Sequence, residues 1–139
     1  YEPGELMAVA LDENNQPVDT AYVRTAGEPA GIRLDYDGRR IKADGDDLAY
    51  VTVNIVDADG NVCPLADNEV TFEVTGTGVF KACANGDPTC IEPFAGPSMH
   101  AFNGKLTAIV QATEPAGKMY LKATSPGLKE AVLTVRSQY

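Results

Sequence analysis

The sequence predicts an all-β protein, an immunoglobulin-like antiparallel β-sandwich of about seven to nine strands preceded by a β-hairpin. Short segments that alternate apolar and polar residues recur along the chain, and turns rich in glycine, proline and asparagine separate them. No stretch has a convincing helical period. Many short strands with such turns are typical of a sandwich.

The first two strand-like segments, residues 5–11 and 18–25, surround a polar turn at 12–16 and predict a hairpin. Two strands alone are only marginally stable in water. Residues 25–31 contain two glycines and a proline, which marks a boundary between units. We therefore assign residues 1–28 to the end of a preceding sandwich domain and residues 29–139 to an immunoglobulin-like domain.

The strongest strand pattern lies in residues 47–74 and has two arms, each with one apolar and one polar face. The apolar positions are Val51, Val53 and Ile55 in the first arm and Val70, Phe72 and Val74 in the second. Between the arms, residues 57–61 have turn chemistry. We expect a central hairpin on which the other strands pair or pack.

Further strands are expected on both sides of this central hairpin. They are placed at residues 32–36 and around Ile41, then at 79–83, 99–102, 106–112, 119–124 and 131–135. Asn103-Gly104 predicts a two-residue hairpin turn. Residues 84–97 hold three prolines and predict a long ordered loop.

The expected core combines large apolar side chains from several strands. Its members are Val53, Ile55, Val70, Phe72, Leu106, Ile109 and Leu121. Leu106 and Ile109 are three residues apart, so both face the core only if a bulge intervenes. In the first hairpin, Leu6, Met7, Val9, Leu11 and Val23 would lack cover if the rest of their sandwich lies elsewhere.

The acidic charge of the chain argues against a nucleic acid as its partner. Its formal net charge is −9, with 20 acidic and 11 basic residues, and the basic residues form no stripe that would attract a nucleic acid. No apolar run approaches the length of a membrane span.

No leader pattern opens the sequence, and we expect it to be a fragment of a larger protein.

No cofactor is expected, and we assign no catalytic, cofactor-binding or metal-binding residue. Asp57, Asp59 and Asn61 have the spacing that opens a calcium loop, but the glycine and glutamate that complete such a loop are missing, which favours turn capping. Three cysteines without a CxxC motif make a zinc site improbable. A disulfide between Cys83 and Cys90 is possible, although free thiols are favoured.

Two other groups of side chains are candidates for a functional site. Ser98 and His100 lie close in sequence but lack the orienting acid and nucleophile elbow of a hydrolase, so a structural histidine is favoured. Four aromatic residues are candidate sugar contacts, although core or rim packing is favoured for them. They are Tyr36, Tyr50, Phe94 and Tyr120. Binding residues therefore stay unassigned.

Two stretches resemble known families. The segment VTVNIVDADGNVCPLADNEVTFEVTGTG resembles the bacterial immunoglobulin-like repeat of invasins and intimins. More specifically, IKADGDDLAYVTVNIVDADGNVCPLADNEVTFEV together with ANGDPTC, EPF, AFNGKLTAIVQAT and ATSPGL is similar to the C-terminal region of bacterial glycoside hydrolase family 2 β-galactosidases, over residues 29–135.

The second resemblance implies an immunoglobulin-like accessory domain placed after a catalytic TIM barrel and a further sandwich domain. Residues 1–27 resemble the last hairpin of that sandwich. The two catalytic glutamates of the family belong to the barrel, so no residue here matches them. This chain departs from the family pattern at Cys90-Ile91, where family members often have Ser-His, so a polar role of that loop is not carried over to it.

The expected function is that of a non-catalytic structural module in a larger β-galactosidase-like glycosidase that degrades carbohydrate. An adhesin-type surface module is the alternative, and a carbohydrate-binding module is a weaker one. The expected partners are the neighbouring domains of the parent, with self-association through the first hairpin as a further option. We expect the parent protein to be periplasmic, or at the cell surface or extracellular.

Overall fold

The structure, a computed structural model, describes residues 2–139 and contains the strands β1 to β11. Their bounds are β1 Glu5–Leu11, β2 Pro17–Arg24, β3 Gly31–Asp35, β4 Ile41–Lys42, β5 Leu48–Val56, β6 Glu69–Gly76, β7 Gly78–Ala84, β8 Ser98–His100, β9 Lys105–Ala112, β10 Lys118–Thr124 and β11 Ala131–Gln138. Tyr1, the first residue of the predicted 1–28 unit, lies outside the described residues. Across residues 2–139, no helix is long and apolar enough to cross a membrane.

The strands form three sheets. β1 and β2 pair with each other in a two-stranded sheet, which we call the leading hairpin. A five-stranded sheet in the order β4-β11-β10-β6-β8 faces a four-stranded sheet in the order β3-β5-β9-β7, and together they form the sandwich. Among the described strands β1 to β11, every strand-to-strand ladder is antiparallel except that of β4 with β11, which is parallel. The all-β class is confirmed, whereas the division at residue 28 stays a prediction.

The predicted central hairpin is wrong, because its arms β5 and β6 lie in different sheets. The turn after β5 does begin a hairpin: Val56 bridges Val62, and the Cys63 N–H donates to the Ile55 carbonyl at 2.9 Å. Pro64 follows and has no N–H to extend this ladder. The chain then crosses to the other sheet, where the apolar face of β6 packs opposite that of β5.

The predicted turn at Asn103-Gly104 is present, but it also connects the two sheets. Both residues have positive φ, 52° and 74°, and Phe102 and Lys105 exchange backbone hydrogen bonds of 3.0 and 3.1 Å across them. A Cβ at position 104 would lie 2.2 Å from the Cys63 carbonyl oxygen, so only glycine fits there. Before this turn, β8 pairs with β6 in one sheet, and after it β9 pairs with β5 and β7 in the other.

Six of the seven predicted core residues are confirmed. Val53, Ile55, Val70, Phe72, Leu106 and Leu121 are at most 4% exposed. Ile109 is the exception, because β9 alternates regularly and turns Ala108 and Val110 inward beside Leu106. Ile109 is half-buried on the outer face.

A bulge does occur, but on the partner strand β7. The register between β7 and β9 shifts between Phe80 and Ala82. Because one extra residue is accommodated there, Phe80 and Cys83 both turn toward the core despite their spacing of three. The ring of Phe80 then stacks on Phe72 of the opposite sheet, with centroids 5.6 Å apart and planes 11° apart.

Replacing Phe72 with alanine should lower the free energy of unfolding by about 3–5 kcal/mol, because it removes a buried ring and leaves a cavity against Phe80. Chemical denaturation of both proteins measures this difference. Val132→Ala is the matched control, since Val132 is 59% exposed and should change stability by less than about 0.5 kcal/mol. Equal effects of the two substitutions would contradict the inward position of Phe72.

Candidate interaction site at the junction of hairpin and sandwich

Ser98 and His100 do not form a nucleophile and base pair. Ser98 Oγ donates to Glu69 Oε1 at 2.9 Å, whereas His100 Nδ1 lies 2.8 Å from Glu92 Oε1. The bond to Glu92 raises the pKa of His100, and the bond to His100 lowers the pKa of Glu92. This pair attaches the loop 85–97 to β8, which is a structural task.

The cysteines of this region are free thiols in the structure, and no disulfide joins Cys83 to Cys90. Cys83 is buried under the loop, and burial raises its pKa to about 11. Cys90 is half-buried, and the Asn85 side-chain amide donates to its Sγ at 3.5 Å. The same amide donates to the His100 carbonyl at 3.0 Å, so Asn85 fixes the loop at two points.

The four aromatic candidates for sugar binding do not share a surface. Tyr50 and Tyr120 are exposed on β5 and β10, which belong to opposite sheets. Tyr36 is half-buried against the core and donates its hydroxyl to the Arg39 carbonyl. Phe94 is exposed on the loop 85–97. The structure therefore brings together no aromatic platform from these residues.

The Asp57 carboxylate is a hydrogen-bond acceptor at the end of β5, and the residue as a whole is 7% exposed. Its Oδ1 accepts the backbone N–H groups of Asp59 at 3.0 Å and Asn61 at 2.8 Å. Its Oδ2 accepts the Gly27 N–H at 2.8 Å and the Asn61 side-chain amide at 3.1 Å. These bonds, led by that from Gly27, lower the pKa of Asp57 to about 2.

This geometry gives Asp57 two structural tasks. It caps the turn that the sequence predicted, and it also ties that turn to the segment that follows the leading hairpin. The N–H donors use the oxygen positions that a calcium ion would need. Within residues 2–139, no group of three or more His, Cys, Asp or Glu side chains is arranged to hold a metal ion.

The segment 25–31, which we call the linker, is held at further points. The Cys63 thiol lies 3.5 Å from the Gly27 carbonyl oxygen. The Ala30 N–H donates to the Val56 carbonyl at 2.8 Å, and the Lys129 N–H donates to the Ala30 carbonyl at 3.0 Å. The linker therefore fixes the base of the leading hairpin to one end of the sandwich. No local sequence pattern predicts these contacts, because their partners are distant along the chain.

Two recesses flank the linker. One, of about 1000 Å³, lies between the base of the hairpin and the turn at 57–61. The other, of about 850 Å³, lies between β2, residues 62–68 and residues 126–128, and we call it the groove. Its apolar lining includes Val23, Leu65 and Leu128.

The leading hairpin is apolar on both faces. Leu6 lies opposite Val23 on one face, and Met7 lies opposite Tyr22 on the other. All four side chains are more than half exposed. Leu11 is also more than half exposed and Val9 is exposed, as the sequence predicted for an uncovered hairpin. The hairpin and the groove together form the candidate interaction site.

Comparison with known proteins identifies the family. The model of the glycoside hydrolase family 2 C-terminal domain 5 matches residues 32–134. This chain belongs to that family. The resemblance to family 2 C-terminal regions is thereby confirmed.

Similar proteins are several times longer than this chain. The β-galactosidase BoGH2A of Bacteroides ovatus is 41% identical over 99% of this chain, which spans 16% of that protein. A β-glucuronidase of Formosa agariphila is 30% identical over 99% of this chain and 14% of its own length. The crystal structure of a family 2 glycosyl hydrolase from Bacteroides cellulosilyticus matches 100% of this chain and 18% of that chain, with a TM-score of 0.88 and 31% identity.

The immunoglobulin-like character of the fold has a separate match. The structural match to the D00-D0 domain of intimin covers 99% of this chain and 65% of the intimin chain, with a TM-score of 0.59 and 15% identity. At this identity the likeness concerns the fold alone. It confirms the predicted fold class.

Replacing Asp57 with asparagine should lower the melting temperature at neutral pH, because the charged acceptor of the Gly27 and Asn61 N–H groups is lost. The folded-state pKa of about 2 lies below the usual value for an aspartate, so the carboxylate stabilises the fold above about pH 4. That contribution is lost as the pH falls through about 2. The gap in melting temperature between wild type and Asp57→Asn should therefore narrow between about pH 4 and 2.

Thermal unfolding across this pH range measures the gap. Asp59→Asn is the matched control, because Asp59 lies in the same turn and is exposed. It should leave the melting temperature close to that of wild type at each pH. A gap for Asp57→Asn that stays constant down to pH 2 would contradict the role of the charge.

Proposed function

We propose that this chain is a non-catalytic accessory module of a larger family 2 glycosidase that acts on β-galactosides. The observation that carries the proposal is the family match over residues 32–134, together with the 16% of a β-galactosidase that the chain spans. A module of this size within a longer enzyme contributes to its architecture and packs against its other domains.

The positions of the acidic residues support a non-catalytic role. Glycoside hydrolysis requires two carboxyl groups that flank a sugar at a defined separation. Here carboxylates serve the backbone instead: Asp44 Oδ1 accepts the N–H groups of Asp46 and Asp47, and Asp47 Oδ2 accepts that of Lys42 at 2.7 Å. Glu69 and Glu73 point outward from β6. These acids act as turn caps or surface charges.

The choice of β-galactosides as substrate of the parent rests on similarity. The relative with 41% identity is named a β-galactosidase, but a relative with 30% identity is named a β-glucuronidase. A similar domain thus accompanies differently named activities. We infer that the module itself does not select the sugar, and that selection belongs to the catalytic domain of the parent.

An adhesin-type surface module is the second candidate, and the likeness to an intimin domain favours it. The sequence encoded upstream separates the two candidates. A TIM barrel with two catalytic acids supports the glycosidase, whereas tandem repeats of this domain support the adhesin. A carbohydrate-binding module is weaker, because Tyr50 and Tyr120 lie on opposite sheets.

The purified chain should hydrolyse no chromogenic β-galactoside above the buffer rate, because its carboxylates are engaged in turns or solvated. The complete gene product should hydrolyse the same compound. Both proteins are assayed at equal molar concentration, with a mock purification to detect contaminating enzyme. Turnover by the purified chain that survives a second purification would contradict the proposal.

We further propose that the leading hairpin pairs with a second copy when the chain is studied alone. Within residues 2–139, β1 and β2 have no strand neighbour but each other, so each has an open edge there. Their exposed apolar faces add a driving force for association. The short, anchored linker keeps the hairpin from folding back over the sandwich.

Deleting residues 1–27 should therefore leave a folded monomer, whereas the whole chain should dimerise with rising concentration. Small-angle X-ray scattering on both proteins measures their masses, and circular dichroism checks that the shortened protein is folded. A whole chain that stays monomeric at high concentration, with its hairpin protected from protease, would show that the hairpin docks in cis.

A further inference from the structure

The groove contains an apolar side chain presented on a rigid turn. The Ala66 N–H donates to the Cys63 carbonyl at 3.1 Å, which closes a β-turn with Pro64 and Leu65 at its two central positions. Pro64 presets the backbone of this turn. The Gly104 N–H donates to the Ala66 carbonyl at 2.9 Å and anchors the turn to the sandwich. Leu65 projects from it and is 91% exposed.

Preorganisation makes such a side chain suited to binding. A leucine on a mobile loop loses conformational entropy when a partner immobilises it, whereas one on a fixed turn has already lost most of it. The fold gains nothing from Leu65, since the side chain is almost wholly in solvent. Its position is therefore that of an anchor for a surface placed over the groove.

The groove continues the apolar face of the leading hairpin. Val23 lines the groove together with Leu65 and Leu128. Val23 also lies opposite Leu6 in the register of β1 and β2, so the two side chains share one face of the hairpin. A binding partner that covers this face of the hairpin consequently also contacts the groove and Leu65.

The rim of the groove is acidic. Glu28 and Asp67 line it and are exposed, and among the described residues neither has an ion-pair partner. Arg24, the basic residue of the lining, pairs with Glu5. A complementary surface would present an apolar centre flanked by lysine or arginine.

We propose that the groove docks the remainder of the preceding sandwich domain, whose end the leading hairpin forms, with Leu65 as its apolar anchor and basic residues of that domain facing Glu28 and Asp67. This inference rests on the proposed function, which supplies the preceding domain. Glu2 and Gly4 line a recess beside Leu6 and Val23, so polypeptide that enters the hairpin arrives next to the groove. A domain at that point covers the hairpin face and the groove as one continuous surface.

The test uses the complete gene product with Leu65→Asp, which places a charge at the anchor. Ile91→Asp is the matched control, because Ile91 is 97% exposed on another loop and does not line the groove. Limited proteolysis within residues 25–31 reports separation of the domains. Leu65→Asp should increase the cleavage rate about tenfold or more, as loss of an interface anchor does, and Ile91→Asp should leave it unchanged.

The same substitutions in the isolated chain separate docking from folding. Leu65→Asp should leave the melting temperature of the isolated chain unchanged. If the Leu65→Asp variant of the complete product were cleaved at the wild-type rate, the docking inference would be overturned, and the proposed function would still stand. A loss of self-association in the isolated chain without an effect in the complete product would overturn it in favour of a second copy. A gene product with no preceding domain would overturn the proposed function and this inference together.

Discussion

Burial of two apolar sheet faces against each other is the constraint on which the rest of the structure depends. Each arm of residues 47–74 has one apolar face, and a direct pairing of the arms would place both faces on the same side of one sheet. Placing β5 and β6 in opposite sheets lets the faces cover one another, with Phe72 stacked on Phe80 across the interface. Pro64 ends the incipient hairpin at the point where the chain must cross.

The crossings between sheets determine the geometry of the junction. The turns at Asn103-Gly104 and at Cys63–Ala66 pack together, since the Gly104 backbone bonds to both Ala66 and Ile55. Asp57 then ties the linker to the same end of the sandwich through Gly27. The base of the leading hairpin is thereby fixed to the end of the sandwich that carries these two turns. A partner bound to the hairpin and groove would hold the sandwich in a defined orientation.

The distribution of polar and apolar surface agrees with an architectural role. Carboxylates that would be needed in pairs for hydrolysis cap turns or form single surface contacts, such as that of Glu92 with His100. Exposed apolar side chains, by contrast, are concentrated on the leading hairpin and continue to Leu65 at the groove. Among the described residues, the exposed apolar surface is thus continuous from the hairpin to the groove, and the proposed accessory role would use it for packing.

Local patterns in the sequence determined the strand positions, the inward faces of β5 and β6, the turn at 103–104 and the uncovered hairpin, because each depends on residues close along the chain. Only the tertiary structure decided which strands pair, and it separated β5 from β6. It also placed the bulge in β7 rather than β9, which left Ile109 outside the core. The candidate site also has a local part and a tertiary part. Turn capping by Asp57 is local, whereas its bond to Gly27 joins residues thirty positions apart. Alternation fixes the face of a side chain, whereas strand partners and long-range bonds depend on how the whole chain encloses its core.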